Sequence, residues 1–380
     1  MLSDLLGSAG TGTKRLSWKS DRLDVIKEFS YLPNPAVFVY IHNSMSYIGV
    51  IGAGSWGTTL ASLLSEKGYD VALWTHDPEL AISINRERVN NIFLPGFTLP
   101  PMLNASFNGK ELSTARYILN TVPTQFIRPI FNKIRTYIND QAIIVSASKG
   151  IENNTLMTPS MILEEIMGRP VSVLSGPSFA REVADKKPTA ITLATGDPKI
   201  GLLLQEVFNT DYFRVYTHDD IIGVEIGGAL KNVIAIASGI CDGLSLGHNS
   251  RAALITRGLS EMTRLGLKMN ALEVTFSGLS GIGDLVLTCT DMQSRNFTVG
   301  HKLGKGMKLG DIINQTQSVA EGIATTLSAY ELASKHGIEL PITEQVYLTL
   351  YKDKSPAEAV KNLMNRSLKS EFHGYKHGHR

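Results

Sequence analysis

The sequence predicts an α/β fold: a doubly wound, mostly parallel sheet followed by an all-helical region. Three observations lead there. The run 48–61, IGVIGAGSWGTTLA, reads as a strand, a glycine turn and a helix start. Strand and helix signals alternate from residue 46 to about 217, the pattern of successive βαβ units. Beyond residue 220 the segments become rich in Ala, Leu and Ile and lose strand alternation, as packed helices do.

Taken in order, residues 1–44 stand apart. They hold Gly7, Ser8, Gly10 and Gly12 among mixed charges and begin without an apolar stretch, which makes a poor secretory signal. Met45 directly precedes the first strand signal, so 1–44 read as an extension or an upstream start; a regulatory arm is the alternative. Strands are expected at 47–51, 71–74, 117–122, 142–147, 171–174, 190–194 and 213–216. Helices are expected between most of them, as at 55–67, 159–167 and 179–184. Residues 93–108, with Pro95, Gly96, Pro100 and Pro101, read as an irregular excursion. Helices then follow at 224–240, 252–265, 298–303, 323–336 and 357–368, with glycine stops at Gly239, Gly266 and Gly337. The expected organisation is a nucleotide-binding domain at 45–220, a helical substrate domain at 221–370 and a polar tail at 371–380. His373, His377 and His379 in that tail could bind a metal, but a frayed tail is the simpler reading.

The totals narrow the function. The chain has 380 residues, enough for two domains, and 43% of them are apolar. A net charge of +2 gives no sign of a nucleic-acid or polybasic membrane partner. Cys241 and Cys289 match no metal or disulfide spacing and suit a reducing compartment. The longest apolar run, around 233–240, falls short of the roughly 18 residues of a membrane span.

Gly52, Gly54 and Gly57 have the G-x-G-x-x-G spacing in its required strand–turn–helix setting. Gly52 permits the turn, Gly54 lets a pyrophosphate approach the backbone, and Gly57 lets the helix lie close on the strand. The helix N-terminus then faces the anion. Past the second strand, Asp77 lies 20 residues after Gly57, where an acid can receive the adenosine ribose of NAD. His76 and Arg86 could instead meet the extra phosphate of NADP, and Asp77 before Pro78 could simply cap a helix.

Other residues sit where chemistry is plausible. Lys149 follows the apolar strand 142–147, and ligands of open parallel sheets bind beyond the strands' carboxyl ends. Ser175 to Ala180, SGPSFA, opens a helix after another strand and offers backbone N–H groups and a hydroxyl, or merely a capped turn. Lys231 lies inside an otherwise apolar helical run. Partial burial there would lower its pKa and let the neutral amine act as a base, unless it snorkels to the surface. Asp284 follows a glycine-rich turn and could be a cap. Arg295 offers phosphate oxygens a planar fork between Ser294 and Asn296, or all three belong to a solvated turn.

Together these segments resemble the NAD(P)-dependent glycerol-3-phosphate dehydrogenases of bacterial type. The resemblance rests on GAGSWGTTLA at 52–61, LWTHDP at 73–78, SKG at 148–150, LSGPSFA at 174–180, GALKNVIAI at 228–236, LITRG at 254–258, GDLVLTCT at 283–290 and QSRN at 293–296. These run in family order over roughly 46–370. The resemblance implies a Rossmann-type domain, a helical domain, and a homodimer in the cytoplasm that makes glycerol 3-phosphate for phospholipid synthesis. It implies NAD or NADP as cofactor, contacted by Gly52, Gly54, Ser55, Trp56, Gly57, His76, Lys149, Ala180, Arg295, Val319 and Glu321. It implies a substrate set of Lys149, Gly176, Ser178, Lys231, Asp284, Ser294, Arg295 and Asn296. Lys231 would be the proton acceptor, Asn232 and Thr288 would support it, and no metal would be required. Two rivals remain: another two-domain dehydrogenase acting on a hydroxy or keto acid, and a nucleotide-binding sensor without catalysis.

Overall fold

A computed structural model of the chain describes residues 47–315, 320–368 and 370–371. Its first part alternates strand and helix. In order these are β1 (Tyr47–Ile51), α1 (Ser55–Glu66), β2 (Asp70–Trp74), α2 (Pro78–Glu87), β3 (Leu103–Ser106), β4 (Tyr117–Asn120) and α3 (Thr124–Ile134). Then come β5 (Ile143–Ser146), α4 (Pro159–Met167), β6 (Val171–Ser175), α5 (Ala180–Ala184), β7 (Thr189–Ala194), α6 (Pro198–Phe208) and β8 (Phe213–His218). The strands form one sheet in the order β3-β2-β1-β4-β5-β6-β7-β8. All neighbouring pairs are parallel except β6 and β7. Chain order reverses between β1 and β4, which places a crevice over their carboxyl ends.

Central strands such as β4 and β6 are buried at every residue, because helices cover both faces. One face packs Leu60, Leu64, Leu73, Phe208 and Phe213. The other packs Ile118, Phe131, Ile144 and Ile162.

The expected excursion at 93–108 needs correction. Its last residues form β3, which adds to the sheet beside β2 in the register Val71↔Leu103 to Trp74↔Ser106. Only four residues long, with Asn104 and Ser106 among them, β3 has little strand propensity of its own. Pairing with β2 supplies the order.

The second part is helical: α7 (Ile221–Gly243), α8 (Gly247–Lys268), a wide turn at Leu279–Gly283, α9 (Asp284–Thr290) and α10 (Arg295–Gly304), then α11 (Leu309–Asn314), α12 (Glu321–Lys335), α13 (Pro341–Tyr351) and α14 (Pro356–Met364). At the centre runs α7, buried along nearly its whole length. It corrects the reading of the apolar runs. By length and composition α7 could cross a membrane, with mean hydropathy 1.5 over 18 residues, yet 89% of that window is buried inside the protein. Packing neighbours, not lipid, account for its apolar surface.

Two glycine stops are also corrected. Gly239 lies within α7, where a Cβ would stand 2.0 Å from the Phe297 carbonyl oxygen of α10. Gly266 lies within α8, under the Phe276 ring at 2.2 Å. Both are close crossings rather than helix ends. Gly337, with φ +63°, does follow the end of α12 in the left-handed conformation.

Candidate active site

A cleft of about 1000 Å³ opens over the sheet's switch point, and residues of α7, α9, α10 and α12 close it from the other side. On the sheet side, Gly52 turns the chain out of β1 with φ +111°. A Cβ on Gly57 would fall 1.9 Å from the Gly52 carbonyl oxygen, so only glycine lets α1 lie this close. A Cβ on Gly54 would meet no atom of the described residues within 4 Å. No side chain caps α1 and no acid sits in its first turn, so its leading N–H groups suit an anion. Beside them the Trp56 indole N–H is buried, has no hydrogen-bond partner among the described residues, and borders the cleft. These features fit the pyrophosphate and adjoining parts of a dinucleotide.

Ser55 borders the same space, but its hydroxyl donates to the Phe93 carbonyl at 2.6 Å, tethering the loop after α2. His76 and Asp77 line the cleft beyond β2. The Asp77 carboxylate accepts from the backbone N–H groups of Glu79 and Leu80, at 2.9 and 3.3 Å, so the helix cap is realised.

At the opposite end three charged residues converge from distant parts of the chain. Lys149 follows β5; the neighbouring Ser148 donates to the Val122 carbonyl at 2.6 Å and accepts from Asn120 at 3.0 Å, which pins the loop. Lys231 comes from the middle of α7, and Asp284 opens α9. Asp284 is 1% exposed and gives one carboxylate oxygen to each lysine. Oδ2 accepts from Lys149 Nζ at 2.6 Å, and Oδ1 from Lys231 Nζ at 2.7 Å. Lys231 also donates to Thr288 Oγ1 at 2.9 Å, and Lys149 to the Gly176 carbonyl at 3.0 Å. Each ammonium has three donors, so one N–H of each remains for a ligand.

Burial lowers the Lys231 pKa to about 8, Asp284 opposes the fall and Lys149 adds to it. Burial alone would raise the Asp284 carboxyl, but the two ammonium groups outweigh it and hold it below its usual range. Glu321, at the start of α12, shows the reverse. Burial raises its pKa despite hydrogen bonds from the Thr124 N–H and hydroxyl, at 2.9 and 3.3 Å, and despite the nearby charge of Arg295.

Ser178, Ala180, Asn232, Thr288, Ser294, Arg295, Asn296 and Glu321 line the cleft. Ser294 caps α10 by accepting from the Phe297 N–H at 3.2 Å. Asn296 donates to Asn232 Oδ1 at 2.9 Å and accepts from the Gly322 N–H at 3.0 Å, which ties α7, α10 and α12 together. Gly176 lies behind the lining and acts through its carbonyl on Lys149. Val319 and the tail histidines lie outside the described residues. Among the described residues no group of three His, Cys, Asp or Glu could hold a metal.

Sequence reasoning missed part of the lining. Thr121, Val122 and Pro123 follow the carboxyl end of β4, where the rule that singled out Lys149 also applies. Phe126, Pro129 and Ile130 give α3 an apolar wall, and Phe126 is 49% exposed there. Arg181 had no local signal.

A dinucleotide loop at the switch point of a parallel sheet, with a buried Asp of the helical layer joining Lys231 of that layer to Lys149 of the sheet, defines a nucleotide-dependent oxidoreductase. The family pattern for the N-terminus of NAD-dependent glycerol-3-phosphate dehydrogenase matches residues 47–200, and that for its C-terminus matches 220–361. This chain belongs to the NAD-dependent glycerol-3-phosphate dehydrogenase family. A relative from Geobacter sulfurreducens, named glycerol-3-phosphate dehydrogenase [NAD(P)+], is 54% identical over 329 residues, 85% of this chain and 98% of its own. One of the same name from Syntrophotalea carbinolica is 52% identical, over 86% and 99%. The crystal structure of glycerol-3-phosphate dehydrogenase from Coxiella burnetii aligns at TM-score 0.82 and 40% identity, covering 84% of this chain and 99% of that one. A ketopantoate reductase from Ralstonia eutropha shares the fold alone, at TM-score 0.55 and 13% identity.

Proposed function

We propose that this enzyme interconverts dihydroxyacetone phosphate and sn-glycerol 3-phosphate, with Lys231 exchanging the proton at the substrate's C2 oxygen. The observation that carries this is the buried Asp284 carboxylate shared between Lys149 and Lys231 on the cleft wall. Gly52, Gly54, Gly57, Ser55, Trp56, His76, Ala180, Val319 and Glu321 would hold NAD or NADP, which supplies the hydride chemistry at C2. In the reducing direction the free N–H of the Lys231 ammonium gives its proton to the ketone oxygen. In the oxidising direction the neutral amine takes the proton of the C2 hydroxyl. A pKa near 8 keeps both forms within reach at neutral pH and favours the proton-giving ammonium below it. Lys149 orients the reacting end and adds positive charge. Arg295 and the N-terminus of α10 hold the substrate phosphate, with Ser178, Ser294 and Asn296 beside them.

In this reading residues 45–220 form the nucleotide-binding domain and 221–370 the substrate domain. Family membership supports a homodimer in the cytoplasm supplying glycerophospholipid synthesis. Oxidation of NADH and NADPH by purified protein tests the core of the proposal. Dihydroxyacetone phosphate should sustain turnover and a 2-keto acid should not. The opposite pattern would overturn the substrate assignment, and no turnover with any ketone would favour a non-catalytic sensor.

A further inference from the structure

Arg181 borders the cleft at the second residue of α5 and is exposed. Among the described residues no carboxylate pairs with it. Its guanidinium carbon instead stands 5.5 Å over the ring of Phe97, a cation–π arrangement. The preceding residue, Ala180, accepts through its carbonyl from the Thr59 hydroxyl at 3.2 Å, and the same hydroxyl is 2.9 Å from the Ser55 carbonyl. The backbone just before Arg181 is thereby tied to α1 at Thr59, whose hydroxyl also reaches back to Ser55 in the first turn. Phe97 ends a strap, residues 93–97, whose Phe93, Leu94 and Pro95 overhang the cleft. The strap's other end is tied to the start of α1 by the Ser55 to Phe93 hydrogen bond.

We propose that Arg181 is a further cofactor-binding residue, whose guanidinium holds the pyrophosphate of the bound dinucleotide and fixes the 93–97 strap across it. This rests on reading the cleft as the NAD(P) site. A guanidinium stays charged and presents a planar fork to phosphate oxygens. Stacking on Phe97 orients that fork in advance, which reduces the entropy lost on binding. The first turn of α1 is the anion end of the cleft, whereas the adenosine ribose end lies past β2 at His76 and Asp77. The partner is therefore the pyrophosphate common to both cofactors, not the 2′-phosphate of NADPH.

Dissociation constants for NADH and NADPH, read from quenching of protein fluorescence at several salt concentrations, test this. Arg181→Ala should weaken both dinucleotides about tenfold, as loss of a charge-assisted contact does. Its affinity should also vary less steeply with salt than that of the wild type. Arg181→Lys should fall between, and Phe97→Ala should weaken both about threefold by freeing the guanidinium. Unchanged constants, weakening of NADPH alone, or a change confined to the KM for dihydroxyacetone phosphate would each overturn the proposal. Wild-type protein that bound neither dinucleotide would remove the cofactor site itself. Wild-type binding with an unaffected Arg181→Ala would remove only the role of Arg181.

Discussion

Asp284 and Glu225 are both carboxylates held almost wholly out of water in the helical part, 1% and 3% exposed. Asp284 meets two ammonium groups, and its pKa falls. Glu225, on α7, meets the Ser160 N–H at 2.8 Å and the Ser160 hydroxyl at 2.5 Å, and burial pushes its pKa up to about 7. Glu261 on α8 repeats the second pattern. It accepts from the N–H groups of Ile342 and Thr343 at the start of α13, and also rises to about 7. Desolvation pushes all three the same way, so the partner decides the outcome. Two unit charges 4 Å apart interact by about 4 kcal/mol at an effective dielectric of about 20. A helix terminus contributes at most about 2 kcal/mol. Full charges therefore keep Asp284 ionised beside the cleft, while Glu225 and Glu261 serve as caps that join helices.

Removing the amine attacks the contrast most directly. Lys231→Ala should lower kcat about a thousandfold with NADH affinity nearly intact, by steady-state rates and fluorescence titration. Retained turnover would take Lys231 out of the mechanism. Asp284→Asn should cost about a hundredfold in kcat, since two ammonium groups then face each other without the shared carboxylate. It should also move the pH profile. Wild-type oxidation of glycerol 3-phosphate should rise through about pH 8 as Lys231 loses its proton. Asp284 raises that pKa, so in the variant the midpoint should shift to lower pH; a midpoint that stayed or rose would contradict the electrostatic account.

The caps should touch stability and leave catalysis alone. Glu261→Ala should cost about 2 kcal/mol by stranding buried N–H groups at the start of α13, seen as a Tm lower by about 4 °C with kcat unchanged. Equal loss of kcat and stability would mean that this cap also shapes the cleft. The smallest effect lies in the pH dependence of Glu225. Its folded pKa of about 7 is above the unfolded value of about 4.3, so the native state binds the extra proton between them. The stability this contributes is fully present below about pH 4.3 and is lost as pH rises through about 7. Melting curves of wild type and Glu225→Gln should therefore diverge in the variant's favour from pH 5 to 7. A constant gap would show that the carboxyl does not titrate there.

The cofactor half of the cleft was far easier to read from sequence than the other half. Gly52, Gly54 and Gly57 lie in one short run, and each acts through local backbone geometry that its neighbours already imply. Lys231 was visible only as a charge in an apolar run. Asp284 looked like a cap and Lys149 like a surface lysine, because what makes them a site is their meeting. β3 escaped notice since its order comes from β2. Gly239 and Gly266 stand at helix crossings, and in sequence a glycine at a crossing looks the same as one at a helix end.

By itself the sequence determined the alternation that builds the sheet, the glycine loop and its helix, and the apolar helices behind them. These follow from local propensity and periodicity, which act within a few residues. Only the tertiary structure decided which charges share a carboxylate, which glutamates become caps, and that Arg181 stacks on Phe97 beside the cleft. Those outcomes depend on burial and on distances of a few ångströms between residues far apart in the chain, and no local pattern encodes such distances.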